Sequence, residues 1–160
     1  MNFIILYIMA TIATTTLTVK SFAFKSNGFI PVQYTCDGAN INPDLKIDDI
    51  PANTKSLALI VDDPDAPNGI FCHWLMWDIP VKTKIIKENS VPGIQGRNSM
   101  HENKYFGPCP PNGIHHYHFR IYALDTKLSS LSQNTNRKSL LDAMEGHIIS
   151  SGDLVGLYER

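Results

Sequence analysis

The sequence predicts a mainly β protein, an antiparallel β-sandwich with one amphipathic helix near the C-terminus and a final short strand. Short apolar, β-branched and aromatic runs, separated by turns rich in glycine and proline, recur along the chain. Only residues 138–149 place apolar side chains at helical spacing. The alternating helices that a parallel sheet requires are missing from the pattern, which favours antiparallel pairing.

Composition limits the classes of protein to consider. The chain has 160 residues, of which 43% are hydrophobic, enough for one domain with its own core. Its formal net charge is −1 and its pI is near 6.6, so no basic excess attracts a polyanion. We therefore expect no nucleic-acid partner.

Residues 1–23 differ from the rest of the chain. They contain an apolar run over residues 3–13, no acidic residue and no basic residue before Lys20, and they end on Ser-Phe-Ala at Ala23. This pattern predicts an export signal cleaved after Ala23, with one domain over residues 24–160 in a periplasmic or secreted protein. The apolar run is shorter than the ~20 residues of a spanning helix, so we expect no transmembrane span in the mature chain. The alternative is a leader that stays as an anchor.

The first half of the domain reads as strands joined by turns. Alternation over residues 24–37 predicts two short strands, and residues 39–51 predict a surface loop followed by at most a short strand. The nearly unbroken apolar run at residues 56–61 predicts a central strand buried on both faces. An acidic turn at residues 62–69 then leads into a long strand at residues 71–79.

The second half contains the longest irregular stretch, residues 82–106, for which we expect loop with short strand pieces. A rigid proline-rich loop at residues 107–111 precedes a strand at residues 114–124, which is aromatic and β-branched with no breaker. After the helix at residues 138–149, which Ser-Gly at residues 151–152 should end, residues 153–158 return to strand.

Alternation along residues 114–124 places His115 and Tyr117 at the loop end of a core-facing row that is otherwise apolar. His116 and His118 lie on the opposite face. A binding pocket needs a few polar groups at the edge of an apolar wall, so the core-facing row indicates where a pocket would form.

Two motifs identify a family. Gly-Pro-Cys-Pro-Pro at residues 107–111, followed by Gly-x-His-x-Tyr at residues 113–117, resembles the second signature of the phosphatidylethanolamine-binding protein family. Asp-Asp-Pro-Asp-Ala-Pro at residues 62–67, followed by His73-Trp74, resembles the first signature in order and spacing. The resemblance covers nearly everything after the leader and points to the bacterial and archaeal branch of these Raf kinase inhibitor-like proteins. It implies the same β-sandwich.

The resemblance also implies a small anion-accepting pocket. The counterparts of the family's lining residues are Asp63, Asp65, His73, Gly107, Pro108, Cys109, Pro110, His115 and Tyr117. Imidazoles donate hydrogen bonds to phosphate or carboxylate oxygens, whereas two carboxylates oppose an anion. One aspartate should therefore orient a histidine or accept from a head-group amine or hydroxyl. The alternative is that Asp63 and Asp65 only form turns.

Three positions bear on the details of such a site. The family usually has arginine at the position of His116 and often glycine at the position of Phe106, so the pocket rim and wall should differ here. His116 and His118 have a spacing that zinc sites use. No further Cys/His pair stands at ligand spacing to complete a site, so we expect no metal and no cofactor.

The function that we predict is non-enzymatic binding of a small anion, meaning a phosphate, a carboxylate or a phospholipid head group. One alternative is an inhibitor or scaffold that acts through its surface on a protease or another protein. A small hydrolase is a further alternative, but Ser99 near His101 and Cys109 near His115 lack the surroundings that activate a nucleophile.

The three cysteines of an exported chain meet an oxidising compartment. Cys72 lies within a predicted strand, where burial as a small hydrophobe is expected. Cys36 and Cys109 both lie in turn-rich segments, and a disulfide between them would tie the N-terminal region to the proline-rich loop. The alternative is three free thiols, because a sequence does not show whether two Cα atoms lie within the ~7 Å that a disulfide tolerates.

Overall fold

The computed structural model describes residues 16–160, which form nine strands and one α-helix. The strands are β1 (Thr18–Lys20), β2 (Gly28–Phe29), β3 (Leu45–Asp48), β4 (Ser56–Asp63), β5 (Phe71–Ile79), β6 (Ile85–Ile86), β7 (Ile94–Gln95), β8 (Ile114–Leu124) and β9 (Ile148–Glu159). A short 3-10 helix (Val32–Tyr34) follows β2, and α1 (Arg137–Met144) precedes β9. No helix within residues 16–160 has the length and hydrophobicity to cross a membrane. The prediction of a mainly β fold with one helix is confirmed.

The strands form two sheets. The larger has the order β2-β9-β8-β4-β5-β7, and the smaller has the order β1-β3-β6. All neighbouring pairs are antiparallel except β2 and β9, which run parallel through Gly28↔Gly156 and Phe29↔Leu157. The long strands predicted from apolar runs, β4, β5 and β8, lie side by side in the middle of the larger sheet.

Strand β4 is buried along its whole length because both of its faces are covered. Leu57, Leu59 and Val61 belong to the main core. Ala58 and Ile60 pack in a second cluster with residues of α1. The prediction of a strand buried on both faces is confirmed, and the two-sided burial explains why no polar alternation appears in this segment.

Helix α1 is shorter than predicted. The Asn136 side chain caps it by accepting a hydrogen bond from the Ser139 amide at 3.0 Å. After Met144 the chain turns at Gly146, whose φ of +78° suits glycine, and β9 begins at Ile148. The prediction that residues 151–152 end the helix is wrong, because these residues pair with β8 and the ladder extends back to Ile148.

The fold also begins before the predicted domain boundary. Strand β1 pairs with β3, and Leu17 and Val19 are buried in the main core at 2% and 5% exposure. A domain that started at residue 24 would lack this strand, so the packed part of the chain begins upstream of Ala23. Residues 1–15, most of the predicted leader, lie outside the described residues. Export and cleavage stay predictions.

Residues 24–37 differ from expectation as well. Only β2 forms where two short strands were predicted, and the 3-10 helix replaces the second. The helix brings Tyr34 into the core and leaves Thr35 and Cys36 against the proline-rich loop, where the Cys36 amide donates to the carbonyl of Pro108 at 3.1 Å. A local pattern of alternation does not report this distant contact.

Candidate functional site

A cavity of about 450 Å³ lies at the edge of the larger sheet where β4 ends and where β5 and β8 begin. Antiparallel pairing produces this convergence, since Asp63 of β4 is opposite Phe71 of β5 and Asp62 is opposite His118 of β8. Residues that are far apart in the sequence, Asp63, His73 and His115, therefore line one cavity.

Asp63 and His115 form a buried pair in this cavity. The Nδ1 of His115 lies 2.7 Å from Oδ2 of Asp63, and the two side chains are 9% and 5% exposed. The other carboxylate oxygen of Asp63 accepts a hydrogen bond from the Asp65 amide at 2.8 Å. Asp63 is thereby held by its own turn and fixes the orientation of the His115 ring. The Nε2 of His115 remains as the ring nitrogen for a ligand.

His73 has a different partner. Its Nδ1 lies 2.7 Å from the carbonyl oxygen of Phe106, and the Phe106 amide donates back to the carbonyl of His73 at 3.0 Å. A carbonyl only accepts, so the proton is on Nδ1. Burial lowers the pKa of His73 to about 4, although its hydrogen bond to Phe106 acts in the opposite direction. The ring is therefore neutral near pH 7, and Nε2 is an acceptor.

Tyr117 lies behind both imidazoles. Its ring contacts His73 edge-on at a centroid distance of 5.2 Å and stacks near His115 at 6.4 Å. Burial raises the pKa of Tyr117, so its hydroxyl keeps its proton. This hydroxyl is buried and has no hydrogen-bond partner among the described residues. Tyr117 thus supports the two imidazoles from behind and is not among the residues that line the cavity.

The proline-rich loop forms one wall of the cavity through Cys109 and Pro110. Gly107 and Pro108 lie behind that wall and hold it in place. The Gly107 amide donates to Oδ1 of Asn40 at 2.7 Å, and a Cβ at Gly107 would stand 2.5 Å from the Tyr34 carbonyl oxygen. Only glycine allows this approach.

Cys36 and Cys109 form a disulfide with a Cα–Cα distance of 5.4 Å, while Cys72 is free and buried. The bridge fastens the cavity wall to the segment after the 3-10 helix. It also removes the thiol on which a Cys109–His115 hydrolase would depend, so that enzymatic alternative loses its nucleophile.

Asp65 does not line the cavity. Its Oδ2 accepts from the amide of His116 at 2.8 Å and lies 2.7 Å from the Nδ1 of His116, outside the cavity. These hydrogen bonds to His116 lower the pKa of Asp65. Asp65 therefore pairs with His116 outside the cavity, whereas Asp63 both caps its own turn and lines the cavity.

The other histidine of the outer face, His118, pairs with Asp153 at 2.7 Å. Within residues 16–160 no three metal-binding side chains come together as a metal site would require.

The sequence did not indicate most of the apolar lining, which comes from Ala66, Pro67, Ile70, Phe71, Met100 and Phe106. The signal for Phe106 was its departure from the family's usual glycine, and its ring stacks on His73 at a centroid distance of 5.9 Å. Ser99 and Met100 come from the long irregular stretch, where no period or motif marks them. Only the folded chain brings them to the cavity.

Comparisons with known proteins agree with this geometry. A model of the family "Phosphatidylethanolamine-binding protein" matches residues 20–159. A UPF0098 protein of Pyrococcus horikoshii is 52% identical over 150 residues, which cover 88% of this chain and 75% of that protein. A UPF0098 protein of Chlamydia trachomatis is 39% identical over 150 residues, which cover 90% of this chain and 99% of that protein.

Solved structures show the same fold. A crystal structure of a phosphatidylethanolamine-binding protein homologue from Chlamydia trachomatis has a TM-score of 0.87 and 38% identity, and the match covers 91% of this chain and 99% of that chain. YbcL of Escherichia coli, a member of the mammalian phosphatidylethanolamine-binding protein family, has a TM-score of 0.84 and 27% identity over 90% of this chain and 98% of its own. The chain belongs to the phosphatidylethanolamine-binding protein family.

Proposed function

We propose that this protein binds a small phosphate- or carboxylate-bearing ligand, such as a phospholipid head group, in the cavity lined by Asp63, His73 and His115. The observation that carries the proposal is the buried Asp63–His115 pair, which directs one imidazole nitrogen toward the cavity. Membership of the family supports a binding function of this general kind.

The hydrogen-bonding groups of the site suit an anion that also carries a donor. His115 directs Nε2 toward the cavity, and this nitrogen donates to an oxygen of the ligand whenever the ring carries both protons. The neutral His73 offers an acceptor at Nε2, which fits the proton of a hydrogen phosphate or an amine or hydroxyl of a head group. Asp63 has both oxygens engaged, so its repulsion of the anion is reduced.

The size and the rim of the cavity set the ligand's dimensions. A volume of about 450 Å³ is within the usual range for small-molecule sites. Ile70 and Met100 lie at the rim with about half of their surface exposed, at 52% and 51%. They offer apolar contact to the part of a ligand next to its head group, which supports an ester over a bare inorganic ion.

The test compares two adjacent histidines on opposite faces of β8. We expect His115→Gln to weaken binding of phosphoethanolamine about tenfold or more, because a charge-assisted hydrogen bond and its orienting pair are lost. His116→Gln, one residue along and outside the cavity, should bind as the wild type does. Isothermal titration calorimetry at pH 7 measures both. Equal affinity in the two variants would reject the cavity as the binding site.

We also propose that the protein acts without turnover and outside the cytoplasm. The Cys36–Cys109 disulfide supports an oxidising compartment, as does the apolar leader. Fractionation of the native host, with the disulfide state read by alkylation, tests the location. Hydrolysis of phosphoethanolamine or of simple esters by the pure protein, lost in His115→Gln, would contradict the absence of turnover.

A further inference from the structure

A second cavity lies beside the first and is also about 450 Å³ in volume. The two share Ile70 and Ser99 in their walls, so they are neighbours along one surface. The second cavity is formed by residues 97–101 on one side and by the start of α1 on the other. We call it the Arg97 groove.

The charges of the Arg97 groove are all of one sign. Arg97, Arg137 and Lys138 line it together with His101, and no carboxylate does. Asparagine amides and the Ser99 hydroxyl supply the remaining polar surface. The first cavity differs, because the carboxylate of Asp63 lines it and no lysine or arginine does. The Arg97 groove is therefore the more favourable of the two for a strongly charged anion.

The three cations differ in how far their charge is already balanced. Arg137 donates to both oxygens of the buried Asp62 at 2.9 and 3.0 Å, so its charge is largely used within the fold. Lys138 pairs with Asp142 at 2.6 Å, but the two side chains are 83% and 59% exposed. Within residues 16–160, the arginines that form salt bridges are Arg120, Arg137 and Arg160. Arg97 has no carboxylate partner there.

An exposed ion pair such as Lys138–Asp142 is weak, so the ammonium group can reorient toward a ligand at small cost. The guanidinium of Arg97 presents a planar set of donors that matches two oxygens of a phosphate. Arg97 thus provides a positive charge that has no partner, and Lys138 provides a second that can leave Asp142 when a ligand binds.

The loop that carries Arg97 and His101 is firmly held. The buried Asn98 side chain accepts from the amides of Met100 and Glu102 at 2.9 and 3.0 Å and donates to the Lys104 carbonyl at 3.0 Å. Ser99 is tied to β5 in both directions through Cys72, at 2.8 and 2.9 Å. A loop organised in this way presents its side chains without an ordering cost at the time of binding.

His101 has a left-handed backbone with φ of +61°. The other non-glycine residues with positive φ in the described part of the chain are all asparagine or aspartate, which tolerate this conformation better. The Asn98 network holds His101 in this less favourable conformation, with its side chain in the wall of the groove.

We propose that the Arg97 groove is a second anion site, one that binds phosphate, free or as a monoester, independently of the Asp63–His115 cavity. Arg97 makes the principal contact with the phosphate and Lys138 the second, while His101 and the asparagine amides offer further hydrogen-bond donors. Because the two cavities adjoin at Ile70 and Ser99, a molecule with two anionic groups could occupy both.

The test is an NMR titration of the full-length protein with inorganic phosphate at constant ionic strength. We expect saturable amide shifts at residues 97–101 and 136–139. Arg97→Gln should weaken this binding about tenfold through loss of the bidentate contact, and Arg97→Lys should restore part of it. The shifts that phosphate causes at residues 63, 73 and 115 should be the same in these variants as in the wild type. Loss of binding in the Arg97 groove is thereby distinguished from loss of binding in the Asp63–His115 cavity.

A matched control removes a positive charge elsewhere. Lys82 is exposed, lies in the turn after β5 and forms no salt bridge among the described residues, so Lys82→Gln should leave phosphate binding in the groove unchanged. Shifts at residues 97–101 that never saturate, or an equal loss in Lys82→Gln and Arg97→Gln, would show general charge screening only and overturn the proposal.

Discussion

At the scale of single residues, the site shows how partners give two histidines different chemistry. His115 faces a carboxylate, whereas His73 faces a backbone carbonyl, and each interaction is 2.7 Å long. A carbonyl carries only a partial charge, so it stabilises an imidazolium less than a carboxylate does. Burial then dominates at His73 and keeps that ring neutral.

This neutral ring makes the protein sensitive to acid. The pKa of His73 is about 4 in the folded protein against 6.5 for the ordinary side chain, so the unfolded chain binds the proton first as pH falls. The contribution of the neutral His73 ring to the free energy of unfolding is fully present above pH 6.5 and is lost progressively between pH 6.5 and 4. By pH 5 we expect a loss of about 2 kcal/mol from this residue alone.

The measurement is urea unfolding at pH 7 and pH 5 for the wild type and for His73→Asn. Asparagine retains a donor for the Phe106 carbonyl and does not titrate, so the variant should show a smaller difference between the two pH values. If both proteins lose the same free energy of unfolding, His73 is not the group responsible.

At the scale of elements, the proline-rich loop is positioned by contacts to one distant segment. The disulfide, the close approach of Gly107 to Tyr34 and the hydrogen bond from Cys36 to Pro108 all join residues 107–109 to residues 34–36. The prolines restrict the loop, but these long-range contacts decide where the restricted loop lies. The wall of the cavity is therefore set by the N-terminal part of the chain.

The disulfide should contribute substantially to stability. Cys36 and Cys109 are 73 residues apart, and the chain-entropy relation assigns a crosslink of that span about 4 kcal/mol. Reductant should lower the free energy of unfolding of the wild type by up to this amount. It should have no effect on a Cys36→Ser/Cys109→Ser variant, which serves as the control.

Mass spectrometry gives a second readout of the same bridge. Alkylation of the denatured, unreduced protein should modify Cys72 alone, because Cys72 is the free thiol in the structure. Three modified cysteines would show that the bridge does not form.

At the scale of the whole molecule, the small sheet covers the larger one and completes the core. Strand β1 supplies part of that cover, since Val19 lies opposite Ile47 of β3 and both are buried in the main core. Gly152 of β9 approaches the Leu17 backbone so closely that a Cβ there would stand 2.4 Å from its carbonyl oxygen. Residues before Ala23 are thus built into the domain.

Truncation tests the start of the domain. A chain that begins at Phe24 should be less stable than one that begins at Thr16 by roughly 3–5 kcal/mol, because the burial of Leu17 and Val19 is lost. Thermal unfolding measures the difference. Equal unfolding midpoints for the two chains would show that β1 is dispensable. N-terminal sequencing of exported protein tests the predicted cleavage after Ala23, which would remove β1, against a cut before Leu17, which would retain it.

The sequence by itself determined the central part of the fold and the identity of the residues that form the candidate site. Strands β4, β5 and β8 were predictable because a strand covered on both faces needs an unbroken apolar run, and one with a single core face needs alternation. The family resemblance identified Asp63, His73 and His115, and the structure brings these three together.

The tertiary structure decided which of the remaining candidates reach the cavity. Asp65 turns outward to His116, Tyr117 supports the rings from behind, and Gly107 serves the loop. It also decided the parallel edge pair, the early end of α1 and the place of β1 in the core. Each of these depends on contacts between residues far apart in the chain, and local patterns of hydrophobicity and turn residues carry no information about such contacts.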